Sequence, residues 1–328
     1  MIRKYRFGKP LNTEAVIKEY PVEKGEIPCI KVKEGEKISF LMTKGAPVYG
    51  LGEQVRGINK RGWIYTSNCT DDPNHREDTH SLYGAHNFLV FAEAEPFGLF
   101  LDNPGKVTFD IGYTQQDTAM ITMDSWDMDL YYIDGENLKD IIRQFRQMIG
   151  RSYIPPKWAF GFGQSRWGYQ SEEDIREVEQ RYRELDIPLD SIYLDIDYME
   201  RFKDFTLNNE TFPDFPGFVK EMQEKHIHLV PIIDAGVKIE EGYPVYEEGV
   251  EKGYFCKDEE GNDFVAAVWP GRVHFPDMLN PQARRWFGLK YKFLLDQGID
   301  GFWNDMNEPA IFYSEKRLEK VFDELETF

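Results

Sequence analysis

Acidic and amide side chains crowd into residues 299–309, whose sequence is IDGFWNDMNEP. The apolar residues of this stretch predict a short buried strand, and Asp305, Asn307 and Glu308 follow at its carboxyl end, beside Trp303. A carboxylate is costly to bury without a partner, and functional groups of parallel sheets lie at the carboxyl ends of the strands. Asp305 is therefore the first candidate for chemistry.

Four predicted strands end in polar or aromatic side chains. Their predicted ranges are 159–164, 191–196, 228–233 and 299–303. The side chains at their ends are, in chain order, Arg166, Trp167 and Tyr169; Asp195 and Asp197; Asp234; and Trp303, Asp305 and Glu308. Any single acid could cap a helix or pair with a cation. Carboxylates that converge raise one another's pKa values, however, and this is more typical of a functional site.

Carboxylate pairs beside aromatic rings suit the hydrolysis of glycosidic bonds. The transition state resembles an oxocarbenium ion, which a carboxylate stabilises, and retaining enzymes hold two carboxyl groups about 5–5.5 Å apart. Aromatic residues make up 15% of the chain, enough to fill cores or to offer flat faces to sugar rings. A metal site is less favoured, because an exposed histidine, or one with another partner, is the more common explanation of His226 and His228. No glycine-rich phosphate loop follows a strand, and no cofactor is expected.

Strands and helices alternate after Pro156, which predicts a parallel sheet. Ser171 and Asp174 form a capping-box start for one helix, and Asn280 before Pro281 starts another. Four strands of this kind predict the first half of a catalytic (β/α)8 TIM barrel over residues 157–328. We expect this barrel to be truncated, because a full barrel takes about 250 residues.

Residues 1–136 show a different pattern, with short apolar runs separated by turn residues such as those at 103–105. This pattern predicts an N-terminal antiparallel β-sandwich. An apolar helical stripe over residues 138–149 predicts a helical connector over residues 137–156. The predicted fold is therefore a β-sandwich followed by half of a TIM barrel.

Charge and composition restrict the partners. The 328 residues carry a formal net charge of −19, so nucleic acid and anionic membrane surfaces would be repelled and a neutral small molecule is expected. The sequence has no run of about 18 apolar residues, so no membrane span is expected. No signal peptide is evident at the N-terminus. The three widely spaced cysteines, Cys29, Cys69 and Cys256, predict a reducing compartment, which we take to be the cytoplasm.

The segments around these candidates resemble glycoside hydrolase family 31, the α-glucosidase family. Five segments agree in order, and the resemblance covers nearly the whole chain, including the sequence YGLGE at 49–53. The five are RWGY at 166–169, YLDIDYM at 193–199, PIID at 231–234, WPG at 269–271 with FPD at 275–277, and WNDMNEP at 303–309.

The resemblance implies a retaining exo-α-glucosidase that releases glucose from small α-glucosides through a covalent ester on Asp305. Asp195 would bind sugar hydroxyls, and Trp167 would lie toward the leaving group. Asp71, on a long polar loop of the sandwich, would reach the next sugar, and Asp72 is an equally good choice. The remaining implied roles are a wall for the first sugar pocket, made by Ile196, Ile232, Trp269, Trp303 and Met306, and support by Asp197, Asp234 and Glu308.

Two features depart from the family pattern. The family more often has tyrosine where this chain has Trp167, which predicts a shift from α-1,4 toward α-1,6 linkages. The family's general acid/base is an aspartate on a later barrel strand, well beyond the nucleophile. We expect the 328-residue chain to lack it, and to need the missing half of the barrel or a contact with a second copy.

Three alternatives stay open. An α-xylosidase of the same family would have the same motifs. In a different hydrolase clan, the Asn-Glu-Pro at the end of the fourth strand supplies the acid/base, which would be Glu308 here. The isolated chain could also be a non-catalytic sugar-binding module. Hydrolysis of an aryl α-glucoside by the 328-residue chain and by its Asp305→Asn and Glu308→Gln variants would test the second and third alternatives.

Overall fold

The computed structural model describes residues 1–314 of the chain. The chain divides into two compact units, of which the first is Met1–Tyr153 and the second begins at Ile154. Each unit has its own apolar core. Within the described residues, no helix has the length and the apolar character needed to span a bilayer.

The first unit is a sandwich of two five-stranded antiparallel sheets, as predicted. Its strands are β1 (Ile2–Phe7), β2 (Ile30–Lys33), β3 (Lys37–Leu41), β4 (Val48–Gly50), β5 (Ile64–Ser67), β6 (Phe88–Phe91), β7 (Phe97–Asp102), β8 (Val107–Ile111), β9 (Thr118–Met123) and β10 (Met128–Asp134). The sheet orders are β1-β10-β7-β6-β4 and β2-β3-β9-β8-β5. Side chains from both sheets, such as Phe91 and Phe109, share one buried core.

Strand β10 is buried on both of its faces. Tyr132 faces the core of the sandwich, whereas Tyr131 and Ile133 pack with Ile141 of helix α1 (Leu138–Ile149). Successive residues of a strand point to opposite faces, so the helix covers the outer face of the sheet. The predicted helix over residues 138–149 is confirmed, and it packs within the first unit.

The second unit is built on a four-stranded parallel sheet with the order β11-β12-β13-β17. These strands are β11 (Gly163–Gln164), β12 (Ser191–Leu194), β13 (His228–Asp234) and β17 (Trp303–Asp305). The helices of this unit are α2 (Glu172–Glu184), α3 (Phe215–Glu224), α4 (Pro244–Lys252), α5 (Pro281–Lys290) and α6 (Lys292–Leu295). This alternation of parallel strands and helices confirms the predicted half of a (β/α)8 barrel.

A small antiparallel sheet with the order β14-β16-β15-β18 accompanies the barrel strands. Its strands are β14 (Val237–Lys238), β15 (Ala266–Val268), β16 (Gly271–His274) and β18 (Tyr313–Ser314). The sequence analysis did not predict these strands. The available signal was the pair of short apolar runs on either side of Trp269 and Pro270, which form the tight turn between β15 and β16.

Two predicted strands are shorter than expected. Within residues 159–164, only Gly163–Gln164 pairs with a neighbour, and Lys157–Phe160 forms a 3-10 turn. Phe160 is 72% exposed, so the apolar run here does not mark a buried strand. The strand predicted over residues 191–196 ends at Leu194, because Asp195 caps the following 3-10 turn.

The fourth predicted strand, residues 299–303, is displaced toward the C-terminus. Pairing with β13 begins at Trp303 and includes Asp305, so this acid is the last residue of the strand and does not follow it. Upstream, the Asp300 carboxylate binds the His228 ring nitrogen Nδ1 at 3.0 Å.

The helices begin where the sequence predicts, but some apolar residues near their ends are exposed. Helix α2 begins with the predicted capping box, in which Ser171 and Asp174 exchange side-chain to backbone hydrogen bonds. Leu185 and Leu289, apolar residues at the ends of two helices, are 61% and 63% exposed. Leu185 is the C-cap of α2, beyond its last turn, and Leu289 lies one residue before the end of α5 at Lys290.

Candidate active site

The parallel sheet brings Asp195, Asp234 and Asp305 to its carboxyl edge. Asp195 directly follows β12, and the other two are the last residues of β13 and β17. Asp234 and Asp305 are register partners on neighbouring strands, which lie about 4.8 Å apart in a sheet. The charge of Asp305 acts on the pKa values of both other acids, so the three form one electrostatic cluster.

Asp234 is the most enclosed member of this cluster, with 2% of its surface exposed. Its two carboxyl oxygens are buried and have no hydrogen-bond partner among residues 1–314. Burial raises the pKa of Asp234 to about 7, and the charges of Asp305 and Asp195 add to this effect. Near neutral pH this side chain is therefore protonated for much of the time, and in that form it is a hydrogen-bond donor.

Asp195 and Asp197 belong to the short turn after β12. Asp195 accepts a hydrogen bond from the backbone N–H of Ile196 at 2.8 Å. Burial raises the pKa of Asp195, and the charge of Asp305 raises it further. Burial also raises the pKa of Asp197, followed by the charges of Asp195 and Asp174. The turn therefore concentrates acids that are harder to ionise than free aspartate.

The residues around Asp305 are held by backbone and side-chain contacts. Asn304 Oδ1 accepts a hydrogen bond from the Tyr291 hydroxyl at 2.5 Å, on the side of the strand away from Asp305. Met306 has φ of 60°, in the left-handed region, and packs against the small sheet. Such a backbone is uncommon for a residue other than glycine and is found often at functional sites. Glu308, two residues further on, is partly buried.

The residues predicted to wall the sugar pocket differ in burial, from the apolar core to its partly exposed edge. Ile196 and Ile232 are buried in the core of the second unit, and Ile232 is the register partner of Trp303. Trp303 is partly buried and meets the ring of Tyr193 edge-on, with 6.2 Å between ring centroids. Ile196, Ile232 and Trp303 lie within two positions of Asp195, Asp234 and Asp305 along the chain. Their contact with a sugar stays a prediction.

Two exposed tryptophans from different loops stack on each other. Trp167, 70% exposed, follows β11, and Trp269, 43% exposed, lies in the turn between β15 and β16. Their ring centroids are 6.5 Å apart and the ring planes differ by 22°. Phe312, which the sequence analysis did not single out, meets Trp269 edge-on at 4.9 Å. The three rings form an aromatic platform, the type of surface on which sugar rings stack.

Asp71 lies in the first unit, on the loop between β5 and β6, where it is exposed. Its neighbour Asp72 accepts a hydrogen bond from the backbone N–H of Asn74 at 2.9 Å. The predicted contribution of Asp71 to the sugar site therefore stays a prediction.

The histidines considered as metal ligands have other contacts. The His228 ring stacks on Trp158, with 4.2 Å between centroids, in addition to its contact with Asp300. His226 has a left-handed backbone with φ of 61° and precedes β13, so the two are not on one regular strand. Across residues 1–314, no group of three acidic, histidine or cysteine side chains is arranged to hold a metal ion.

A further buried acid, Asp204, was missed by the sequence analysis. It is 1% exposed, and burial raises its pKa well above the usual value, with an added effect from the charge of Asp234. An acid between Phe202 and Phe205 soon after a strand end is a usable signal, because apolar neighbours on both sides are typical of a buried segment.

Two family models match the chain. The glycosyl hydrolases family 31 TIM-barrel domain matches residues 152–326. The glycosyl hydrolase 31 N-terminal galactose mutarotase-like domain matches residues 11–110.

Similar proteins agree with these matches. Alpha-glucosidase 2 of Bacillus thermoamyloliquefaciens is 39% identical over 297 residues, which are 90% of this chain and 36% of that protein. Alpha-xylosidase 1 of Arabidopsis thaliana is 34% identical over 292 residues, which are 85% of this chain and 31% of that protein. The solved structure of a Flavobacterium johnsoniae GH31 dextranase with glucose superimposes with a TM-score of 0.77 at 27% identity, covering 90% of this chain and 36% of that one.

The chain spans about a third of the length of these relatives. Over that length, the matches include both the sandwich and the strands whose ends carry the three acids. They show that the chain belongs to glycosyl hydrolase family 31, the family that its motifs predicted.

Proposed function

We propose that this chain carries the catalytic nucleophile of a retaining exo-α-glucosidase, which releases glucose from the non-reducing ends of small α-glucosides. The observation that supports this best is the register pairing of Asp305 with Asp234 at the carboxyl edge of the sheet. Family membership supports glycoside hydrolysis, and the similarity to a Bacillus alpha-glucosidase supports an α-glucoside as substrate.

In the proposed reaction, a carboxylate oxygen of Asp305 attacks the anomeric carbon while the bond from this carbon to the leaving oxygen breaks. A general acid protonates the leaving alcohol. Water, deprotonated by the same group, then attacks the anomeric carbon and releases Asp305 as a carboxylate. The negative charges of Asp305 and Asp195 would stabilise the oxocarbenium-like transition states.

Substrate binding would use both the acids and the aromatic platform. Asp195, which the Ile196 N–H orients, would accept hydrogen bonds from sugar hydroxyls. Trp167 would stack on the leaving-group sugar, and Trp269 would line the first sugar pocket beside it, since both rings are exposed next to each other. The enclosed Asp234 would hold the terminal sugar and the exposed platform the leaving group, which would favour cleavage of one terminal sugar at a time.

The test is covalent labelling of the 328-residue chain with 5-fluoro-α-D-glucosyl fluoride. Fluoride departs without protonation, so the ester forms independently of a general acid. We expect one fluoroglucosyl group on the peptide that contains Asp305, and none after Asp305→Asn. The matched control is Asp300→Asn, which changes an acid of the same segment that binds His228, and which should label as the wild type does.

The same experiment separates the alternatives. Labelling that persists in Asp305→Asn, or that occurs on another carboxylate, would contradict the assignment of the nucleophile. The corresponding fluoroxylosyl fluoride tests the α-xylosidase alternative, which the similarity to the Arabidopsis protein favours. Faster labelling by the xylosyl reagent would replace glucoside by xyloside as the substrate. A folded chain that binds glucose but is labelled by neither reagent would support the sugar-binding module.

A further inference from the structure

The segment between β12 and α3 carries a buried carboxyl that the proposed reaction does not use. Asp204 Oδ1 accepts a hydrogen bond from the backbone N–H of Asp234 at 3.2 Å. The other oxygen, Oδ2, is buried and has no hydrogen-bond partner among residues 1–314. Because Asp234 is the register partner of Asp305, Asp204 contacts the backbone one strand away from the proposed nucleophile.

The backbone on both sides of Asp204 is strained. Arg201, Phe202 and Phe205 have φ values of 48°, 60° and 59°, in a region that residues other than glycine rarely adopt. Such conformations persist only where the surrounding structure determines them, and they cluster at functional sites. Phe205 is fixed by an edge-on contact with Phe287, with 5.3 Å between ring centroids. The segment therefore holds one conformation, in which Lys203, Asp204 and Phe205 are all buried.

Lys203 contributes to holding the segment but does not neutralise Asp204. Its ammonium group binds the carboxylates of Glu240 at 2.9 Å and Glu200 at 3.3 Å. The ammonium also lies over the ring of Tyr243, 5.5 Å from the centroid. The Tyr243 hydroxyl in turn donates a hydrogen bond to the backbone carbonyl of Asp204 at 2.7 Å.

The surroundings of Asp204 favour an uncharged carboxylic acid. The side chain is 1% exposed, and the only charged group that acts on it among the described residues is the acid Asp234. A carboxylate buried without a cation is strongly disfavoured. The charge of Asp204 would act on the hydroxyls of Tyr198, Tyr243 and Tyr291, which are not cations. The nearby Lys203 ammonium is bound by Glu240 and Glu200. Asp234 faces Asp305 and Asp195 on its other side.

We propose that Asp204 is a positioning residue: as an uncharged carboxylic acid it holds the backbone of Asp234, and so fixes the Asp234 carboxyl beside Asp305. The link to catalysis rests on the proposed function. The link between Asp204 and Asp234 is a property of the folded chain, and it can be measured without any substrate.

The first measurement tests the charge of Asp204. Carboxyl carbon NMR of the 328-residue chain with labelled aspartate, assigned with Asp234→Asn, gives the titration midpoint of Asp234. Asp204→Asn keeps a carbonyl acceptor and removes the possibility of charge. We expect an unchanged Asp234 midpoint in this variant. A midpoint that falls clearly would mean that Asp204 is ionised in the wild type, and would overturn the proposal.

The second measurement tests the contact with the backbone. Asp204→Leu, and the smaller Asp204→Ala, remove the acceptor, so the Asp234 amide should exchange its hydrogen faster and labelling at Asp305 should slow by roughly 10–100-fold. Asp204→Asn should restore both. The matched control is Asp190→Leu, because the Asp190 carboxylate accepts the Phe162 N–H at 3.0 Å at the amino end of the same sheet.

These results have separate consequences. Wild-type exchange and labelling in the Leu and Ala variants would overturn the positioning role. An equal loss of labelling in Asp190→Leu would also overturn it, because the effect would then reflect general destabilisation. If the wild type is not labelled at Asp305, the proposed function fails, and the NMR midpoint and amide exchange still decide the role of Asp204.

Discussion

At the end of β13, folding makes the carboxyl of Asp234 difficult to ionise. Burial, followed by the charges of Asp305 and Asp195, raises its pKa to about 7. An aspartate in an unfolded chain titrates near 3.9. Between these two pH values the folded protein holds a proton on Asp234 that the unfolded chain has already lost.

This difference predicts how stability depends on pH. The contribution of Asp234 to stability is fully present below about pH 4 and is lost as pH rises through about 7. The free energy of unfolding therefore falls across this window by on the order of 4 kcal/mol. Asp234→Asn cannot ionise and should be more stable than the wild type at pH 8. Urea unfolding at several pH values measures this, with Asp190→Asn as the control; a variant curve parallel to the wild-type curve would contradict the prediction.

The sequence was sufficient to find Asp195, Asp234 and Asp305, because each lies at the end of an apolar run and the ends of parallel strands share one edge. It was not sufficient to find Asp204 or Phe312. Both lie in irregular segments, where no periodicity indicates which way a side chain points. Only the backbone path of those segments brings them to Asp234 and to Trp269.

At the scale of elements, the aromatic platform is assembled from three separate connections. Trp167 follows β11, Trp269 lies in the turn of the small antiparallel sheet, and Phe312 precedes β18. The small sheet is therefore the element that places the central ring. Within residues 1–314 its strands pair with each other and not with the barrel strands. Insertions in this region would therefore change the platform without changing the sheet that holds the acids.

The platform gives a prediction about linkage preference, on the basis of the proposed function. Trp167→Tyr removes part of the stacked surface and should lower the ratio of isomaltose to maltose hydrolysis by roughly 2–10-fold, the size expected for one aromatic contact. Relative rates on the two disaccharides measure this. Trp126→Tyr, which changes a ring of the sandwich that contacts Phe7, should leave the ratio as it is. Equal ratios in Trp167→Tyr and the wild type would exclude Trp167 as a determinant.

Element types were easier to predict than element ends. The capping box at Ser171 and the stripe over residues 138–149 indicated helices that are present. Strand ends were less predictable, because backbone pairing with a neighbour decides them. The run over residues 299–303 is apolar, yet the ladder with β13 begins only at Trp303.

At the scale of the whole molecule, the first unit contains all the residues of its two apolar clusters. One cluster lies between the sheets, and the other lies between β10 and α1. Among residues 1–314, neither cluster includes a residue beyond Tyr153, so the unit has the core that a separate domain needs.

We therefore predict that residues 1–153 fold alone, with one cooperative urea transition measured by circular dichroism. The matched control is residues 1–136, which lack α1 and would expose the face of β10 that carries Tyr131 and Ile133. This shorter piece should be less stable by several kcal/mol, about the cost of uncovering that many large apolar side chains. Equal stability of the two pieces would show that α1 contributes nothing to the sandwich.

The register pairing of Asp234 with Asp305 also has a consequence for how charge is distributed during a turnover. In the proposed ester, Asp305 carries no negative charge, so one of the causes that raise the pKa of Asp234 disappears. Asp234 would then release its proton more readily. The negative charge that β17 gives up when the ester forms would reappear on β13, before the second oxocarbenium-like transition state requires it.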